Sequence, residues 1–295
     1  MMRTTLYMSG LLPLALLIGG CGEKAPVAEV KALEEKQKEV KPEEPVAEVK
    51  PVQEAPINSI KYKITGDEVT ITGCDKKVSG ALTIPAIIEG KSVTRIRFRA
   101  FLSCTRLTNI TIPDSVTSIE KGAFLGCSSL TSITIPDSVT SIGNSAFTDC
   151  NSLTSITIPD SVASIGDSAF YDCTNLTSIT IPDSVTSIGD SAFGGCYRLT
   201  SVTIGNGVIS IANYAFRNCR SLKSITIPDS VTSIGDGAFE NCTSLTAVTF
   251  LGDAPTVGTI RVFAKSTPTI YRKPEAKGWV DTFGGRPVKL ISEKP

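Results

Sequence analysis

The chain of 295 residues contains no histidine, one tryptophan and three methionines. Without histidine, the side chain that most often serves as general base or as zinc or iron ligand near neutral pH is missing, which argues against an enzyme. Neither charge is in surplus, because 29 basic residues balance 29 acidic ones. No global field therefore points to nucleic acid or to an anionic membrane. No apolar run reaches the roughly 20 residues that a membrane-spanning helix needs. Nine cysteines are present, but no two form a Cys-x-x-Cys pair, and no residue pattern calls for a metal or another cofactor.

The first 21 residues, MMRTTLYMSGLLPLALLIGGC, place Arg3 before an apolar run from Leu6 to Ile18, then two glycines and Cys21. That is the layout of a secretory signal peptide. The ending Ile18-Gly19-Gly20-Cys21 resembles the bacterial lipoprotein signal, which implies lipidation of Cys21 and anchoring through about 0.8 kcal/mol per buried CH2. An ordinary signal peptide with an incidental cysteine, or an uncut anchor, is the alternative. Gly22 rather than aspartate follows the cysteine, which by the same resemblance implies an outer-membrane or exposed destination, with the periplasm or secretion as alternatives. Residues 22–56 are rich in Glu, Lys, Pro, Val and Ala, lack aromatics and repeat PVAEVK, so they read as a disordered linker that holds the protein off the membrane.

Beyond the linker a single period dominates. Phenylalanine falls at 101, 124, 147, 170, 193, 216 and 239 and cysteine at 104, 127, 150, 173, 196, 219 and 242, both at intervals of 23. The words SITIPDSVTSIG recur unchanged at 132–143, 178–189 and 224–235. A fixed period in the twenties predicts a solenoid in which each unit forms one coil. Within a unit Leu130, Ile133 and Ile135 should point inward while Ser132 and Thr134 face out. Pro136-Asp137-Ser138 should bend the chain, and Val139, Ile142, Ala146 and Phe147 should complete the core.

The pattern L-x-x-I-x-I followed by I-P-x-x-V-x-x-I-x-x-x-A-F-x-x-C resembles the BspA-like, or treponemal-type, leucine-rich repeat. It covers about Leu82 to Phe250 and implies a mainly β, right-handed superhelix of 23-residue coils. The expected organisation is a 1–21 signal, a 22–56 linker, an N-terminal cap hairpin over 57–81, the solenoid over 82–250 and a C-terminal cap over 251–295, since the phase is lost after Phe250. The charge is uneven: about +4 over 57–102, −6 over 103–250 and +4 over 251–295.

In a solenoid every repeated residue becomes a ladder with rungs about 4.8 Å apart. The seven ladder cysteines are close enough for disulfides in principle, but their number is odd and their aim is parallel, so buried free thiols are the favoured reading over disulfides or a metal. The aspartates at 114, 137, 160, 183 and 229 are expected to accept backbone N–H bonds within their own turns, with calcium as the alternative. Specificity is expected where the repeat is interrupted, at Tyr197, Arg198, Tyr214, Arg217, Arg220 and Lys223 around the cysteine turn. These six are either a solvated edge or a contact for an extracellular protein or glycan. The resemblance implies adhesion at the cell surface by a non-enzymatic protein, with no nucleic-acid partner and membrane contact through the N-terminal lipid only. A structural envelope scaffold that binds another bacterial component is the second reading.

Overall fold

The computed structural model describes residues 59–294. The signal segment, the Cys21 lipidation site and the 22–56 linker lie outside the described residues. From Gly80 onward each unit makes one turn of a mainly β, right-handed leucine-rich-repeat solenoid. Its first strand follows the alternation of the sequence: in Ser132–Thr134, Ile133 is buried and the two hydroxyl residues are exposed. Pro136 cannot donate to a ladder, so the chain turns there, closed by the Val139 amide donating to the Pro136 carbonyl at 3.0 Å. The second strand is only two residues long, Ser141–Ile142, and buries the isoleucine.

The shortest strands build the largest sheet. Eleven strands join in it: β1 (Ile60–Thr65), β2 (Glu68–Cys74), β4 (Ile87–Ile88), β5 (Lys91–Ile96) and the two-residue strands from Ser118–Ile119 to Thr256–Val257. The longer Ser-Ile-Thr-Ile strands, with β3 (Gly80–Thr83) and β6 (Leu107–Thr111) at their head, are divided into sheets of three, two and five. At the first division only the bridge from Thr134 to Thr157 remains. The hydroxyl face is therefore interrupted rather than a continuous lawn, and a cavity of about 650 Å³ opens over Ser155 to Asn206.

A column of phenylalanines fills the centre. Phe101, Phe124, Phe147, Phe170, Phe193, Phe216, Phe239 and Phe263 stack with centroids 5.1–5.7 Å apart and planes within 15° of parallel. Each ring is fully buried. Offset stacking at these distances contributes about 0.5–1.5 kcal/mol per pair beyond the burial itself.

Hydrogen bonds between coils run in three further columns. Each thiol from Cys127 to Cys242 donates to the phenylalanine carbonyl 26 residues earlier, at 3.1–3.3 Å. These cysteines are free and buried, small fillers with one weak bond each. The serine of Pro-Asp-Ser donates to a valine carbonyl of the preceding coil, as Ser138 does to Val116 at 2.5 Å. The third column corrects the expected aspartate ladder. Asn144, Asp167, Asp190 and Asn213 accept the backbone N–H at the same place in the next coil at 2.8–3.1 Å. In the expected column Asp183 does so too, accepting from Asn206 N at 2.7 Å, across coils rather than within its own turn.

The ends adapt this scheme. β1 and β2 form an antiparallel hairpin through Gly66, whose φ of 60° glycine tolerates without strain. β2 then pairs in parallel with β5, so the cap prolongs the long sheet. The insertion in the first repeat becomes the β4–β5 hairpin, turning through Glu89 and Gly90. At the other end the phase expected to be lost after Phe250 runs on: Thr256–Val257 still pair with Ser233–Ile234 at an interval of 23, and the stacking continues beyond them. One more coil, a residue longer, puts Phe263 on the ring column and Ser266 at the cysteine position, its hydroxyl donating to the Phe239 carbonyl at 2.7 Å. Phe250, Trp279 and Phe283 close the apolar end with centroids 4.9–5.3 Å apart.

Replacing Phe170 by alanine removes two stacking contacts and leaves a cavity between rigid neighbours, and is expected to lower stability by about 3–5 kcal/mol in denaturant unfolding. A loss below about 1 kcal/mol would show that the column is not what joins the coils. Burial also pushes the thiols from Cys127 to Cys242 up, to about 12 for Cys127 and Cys242. Cys127, Cys150, Cys173, Cys196, Cys219 and Cys242 should therefore resist iodoacetamide in the native protein at pH 8 and react fully in denaturant, read by mass spectrometry.

Candidate functional site

The repeat is interrupted most densely on the turn that carries the phenylalanine and cysteine. Two positions in this turn adopt a left-handed backbone in successive coils. One is filled by Arg99, Gly122, Ser145, Ser168, Ser191, Tyr214 and Gly237, with φ between 54° and 64°. Small residues are the economical choice there, and a tyrosine is held at a cost of roughly 1–3 kcal/mol. Room for its ring comes from the next coil, where a Cβ on Gly237 would sit 2.5 Å from Tyr214 Cε1.

The guanidinium groups lie over the tyrosines. Arg217 Cζ is 5.5 Å from the Tyr214 ring centre, and Arg220 Cζ is 5.0 Å from that of Tyr197. Tyr197 and Arg220 are 23 residues apart, so they share one place on neighbouring coils. Arg198 donates to Asn175 Oδ1 at 3.0 Å, one coil back. Five of the six residues expected from the sequence thus belong to one turn surface on successive coils. Lys223 is exposed just before the strand Ser224–Ile227, and its side chain makes no hydrogen bond or ion pair with the other five.

Two members escaped the sequence reading. Tyr171, Gly194, Arg217 and Glu240 form one column at intervals of 23. Gly194 gives the Tyr171 ring space, for a Cβ there would lie 3.1 Å from Tyr171 Cδ2. Glu240 is only 6% exposed and is held between Arg217, 3.5 Å from Oε2, and Lys265, 4.0 Å from Oε1. Its charge fixes Arg217 from beneath while the outer part of that guanidinium stays in solvent. The column spacing was available as a signal, but only once the position of Arg217 was recognised as a surface position.

The left edge of this surface is acidic. Asp172 and Asp149 occupy the second left-handed position of adjacent coils. Burial, and then the neighbouring Asp149, raise the Asp172 carboxyl above the usual range. Asp172 in turn, with desolvation, pushes the Tyr171 phenol up. A Cβ on Gly195 would overlap the Asp172 carboxylate as it stands, so any other residue there would displace that carboxylate. The geometry offers tyrosine rings covered by guanidinium groups, guanidinium edges and one flanking carboxylate pair. It contains no nucleophile beside a base, and no group of three or more metal-ligating side chains occurs among the described residues.

The family model described as the BspA type leucine rich repeat region, in six copies, matches residues 80–197 and 163–268. A leucine rich repeat protein of T. pallidum is 28% identical over 74% of this chain and 86% of its own, with a TM-score of 0.51. A leucine rich cell surface protein from Faecalibacterium prausnitzii A2-165 is 27% identical over 73% and 75%, with a TM-score of 0.51. A leucine-rich repeat protein from Bacteroides ovatus ATCC 8483 is 27% identical over 81% and 76%, with a TM-score of 0.50. No curated protein matches the chain.

The raised Asp172 carboxyl fixes the sign of a pH effect. Its folded form holds the proton more tightly than its unfolded form, so its contribution is favourable below the unfolded value and is lost as pH rises through the folded one. Asp172→Asn, which places here the residue type found at 218 and 241 in the same column, is expected to raise the melting temperature at pH 7. The difference should shrink towards pH 3; a lower melting temperature at pH 7 would contradict the assignment.

Proposed function

Because the chain belongs to the BspA-type leucine-rich repeat family, we propose that it is an exported, lipid-anchored, non-enzymatic binding protein that engages an extracellular protein or glycan through the turn surface around Tyr197 and Arg217. The observation that carries this reading is the placement of large side chains against the rule of the repeat. Tyr214 occupies a left-handed position that glycine or serine fills in five other coils, and glycines in the adjoining coils make room for Tyr171 and Tyr214. Such departures do nothing for the core, which is complete without them. They concentrate tyrosine and arginine, the residue types that dominate binding hot spots, on an otherwise acidic array.

Family membership supports a role without catalysis, and the description of the F. prausnitzii relative as a cell surface protein supports an outward-facing placement. Lipidation at Cys21 supplies the anchor and residues 22–56 the standoff. Adhesion is the activity that these parts serve together. Lys223 stays at the margin of the surface and contributes long-range attraction rather than a contact.

Arg198, Arg217 and Arg220 changed together to serine should leave folding intact and reduce attachment of bacteria bearing the protein to matrix-coated surfaces, by about tenfold or more if two charged contacts are lost. Undiminished attachment sinks the assignment of this surface. Protease treatment of intact cells should remove the protein; survival of the chain would favour the scaffold reading instead.

A further inference from the structure

A second basic surface lies at the opposite end of the long sheet, unconnected with the turn surface. The outward column that contains serine in six successive strands, Ser118, Ser141, Ser164, Ser187, Ser210 and Ser233, begins with Lys63, Thr70 and Arg95 on β1, β2 and β5. Thr72 follows two residues along β2, and Arg97 lies two residues after Arg95, just past the end of β5. Lys63, Thr70, Thr72, Arg95, Arg97 and Glu120 line a hollow of about 210 Å³.

The two arginines face outward because of a bulge. Val69 pairs with Val93, but Thr70 pairs with Arg95, which leaves Thr94 as the extra residue. Without the extra residue, alternation from the buried Val93 would turn Arg95 into the core; with it, Ile96 is buried and Arg95 and Arg97 are exposed. The bulge also leaves the Thr94 hydroxyl oxygen buried with no partner, a local defect that packing alone does not call for. A second irregularity, between Lys61 and Tyr62, lies at the same face.

These cations are uncommitted. The ion pairs among the described residues are Lys91 with Asp67, and Arg217 and Lys265 with Glu240, so none involves Lys63, Arg95 or Arg97. The one carboxylate in the hollow, Glu120, accepts from the Phe98 amide at 2.9 Å. Phe98 is 45% exposed at the rim, with Arg99 Cζ 4.8 Å from its ring centre.

We propose that this hollow binds an anionic polysaccharide, one bearing sulfate or uronic carboxylate groups on consecutive sugars. Strands about 4.8 Å apart, with outward residues about 6.8 Å apart along each, spread three cations over roughly the reach of one or two sugar rings. Arginine recognises sulfate and carboxylate through paired N–H groups, the Thr70 and Thr72 hydroxyls can bond sugar hydroxyls, and the Phe98 ring offers an apolar face. A hollow, rather than a protruding apolar edge, fits one saccharide unit and not the plane of a bilayer.

The test uses the full chain in non-ionic detergent and immobilised heparin as the sulfated, uronate-bearing probe. Lys63→Ser, Arg95→Ser and Arg97→Ser are combined, serine being the residue that follows Lys63 and Arg95 in their column from Ser118 onward, and Arg95→Ser is made alone as the mildest version. The wild type should bind with an affinity that falls steeply with salt, the triple variant at least about tenfold more weakly at an unchanged melting temperature, and the single variant in between. Binding by the Arg198, Arg217 and Arg220 variant should equal that of the wild type, which separates failure here from failure of the turn surface. Full retention by the folded variants, or wild-type binding to phosphatidylglycerol vesicles but not to heparin, overturns the proposal.

Discussion

Everything in this molecule depends on the register between coils. One coil is too short to bury its own apolar face, so Leu130, Ile133, Ile135, Val139, Ile142 and Phe147 find their cover in the coils above and below. The phenylalanine column shows how strict this is. Rings within 15° of parallel at 5.1–5.7 Å leave no freedom to shift one coil against the next. A one-residue change of spacing is tolerated once, before Phe263, where the array is about to close.

Register also sets a chemical problem, because each polar residue meets its own kind at about 4.8 Å. Amides solve it by self-complementarity, as when Asn241 Nδ2 donates to Asn218 Oδ1 at 2.7 Å. Hydroxyls and thiols solve it by donating to carbonyls of the preceding coil. Carboxylates can only accept, so Asp167 and Asp190 take the amide of the next rung, and Asp172, beside Asp149 and partly desolvated, resists ionisation instead. The same rule explains why the thiols from Cys127 to Cys242 serve as a ladder without a disulfide: each of these sulfurs already has a carbonyl partner in the preceding coil.

The core was legible from the sequence because its signal is the period itself, and Phe147, Cys150 and Leu153 stand where the 23-residue spacing puts them. The left-handed positions were equally periodic but were overlooked, since serine, aspartate, asparagine and glycine at one position do not look like a conserved word. They share a backbone preference rather than a side-chain type. The role of the aspartates across coils was hidden for a related reason: Pro-Asp-Ser announces a turn, and neither Asp183 there nor the run of Asn144, Asp167, Asp190 and Asn213 announces an acceptor until its amide partner in the next coil is seen. Tyr171 and Glu240 were missed because each is unremarkable in its own coil and matters only beside Arg217 two coils or one coil away. The outward turn of Arg95 depends on a bulge that alternation alone cannot foresee.

A solenoid of near-identical coils has a surface that repeats with its core, and a repeating surface cannot distinguish one ligand from another. Specificity must then enter at positions whose identity the core does not constrain. Two such classes exist here: turn residues, where a left-handed backbone admits a large side chain if the next coil supplies glycine, and outward strand residues at the cap, where a bulge resets the alternation. Both carry cations, while the coils between them are acidic. Segregating the charges in this way keeps Arg95 and Arg97 from being neutralised by the array, and Arg217, the one guanidinium in an ion pair among the described residues, is paired from below by a buried glutamate that leaves its outer edge in water. The regular coils act as a rigid spacer, and the departures from regularity hold the chemistry.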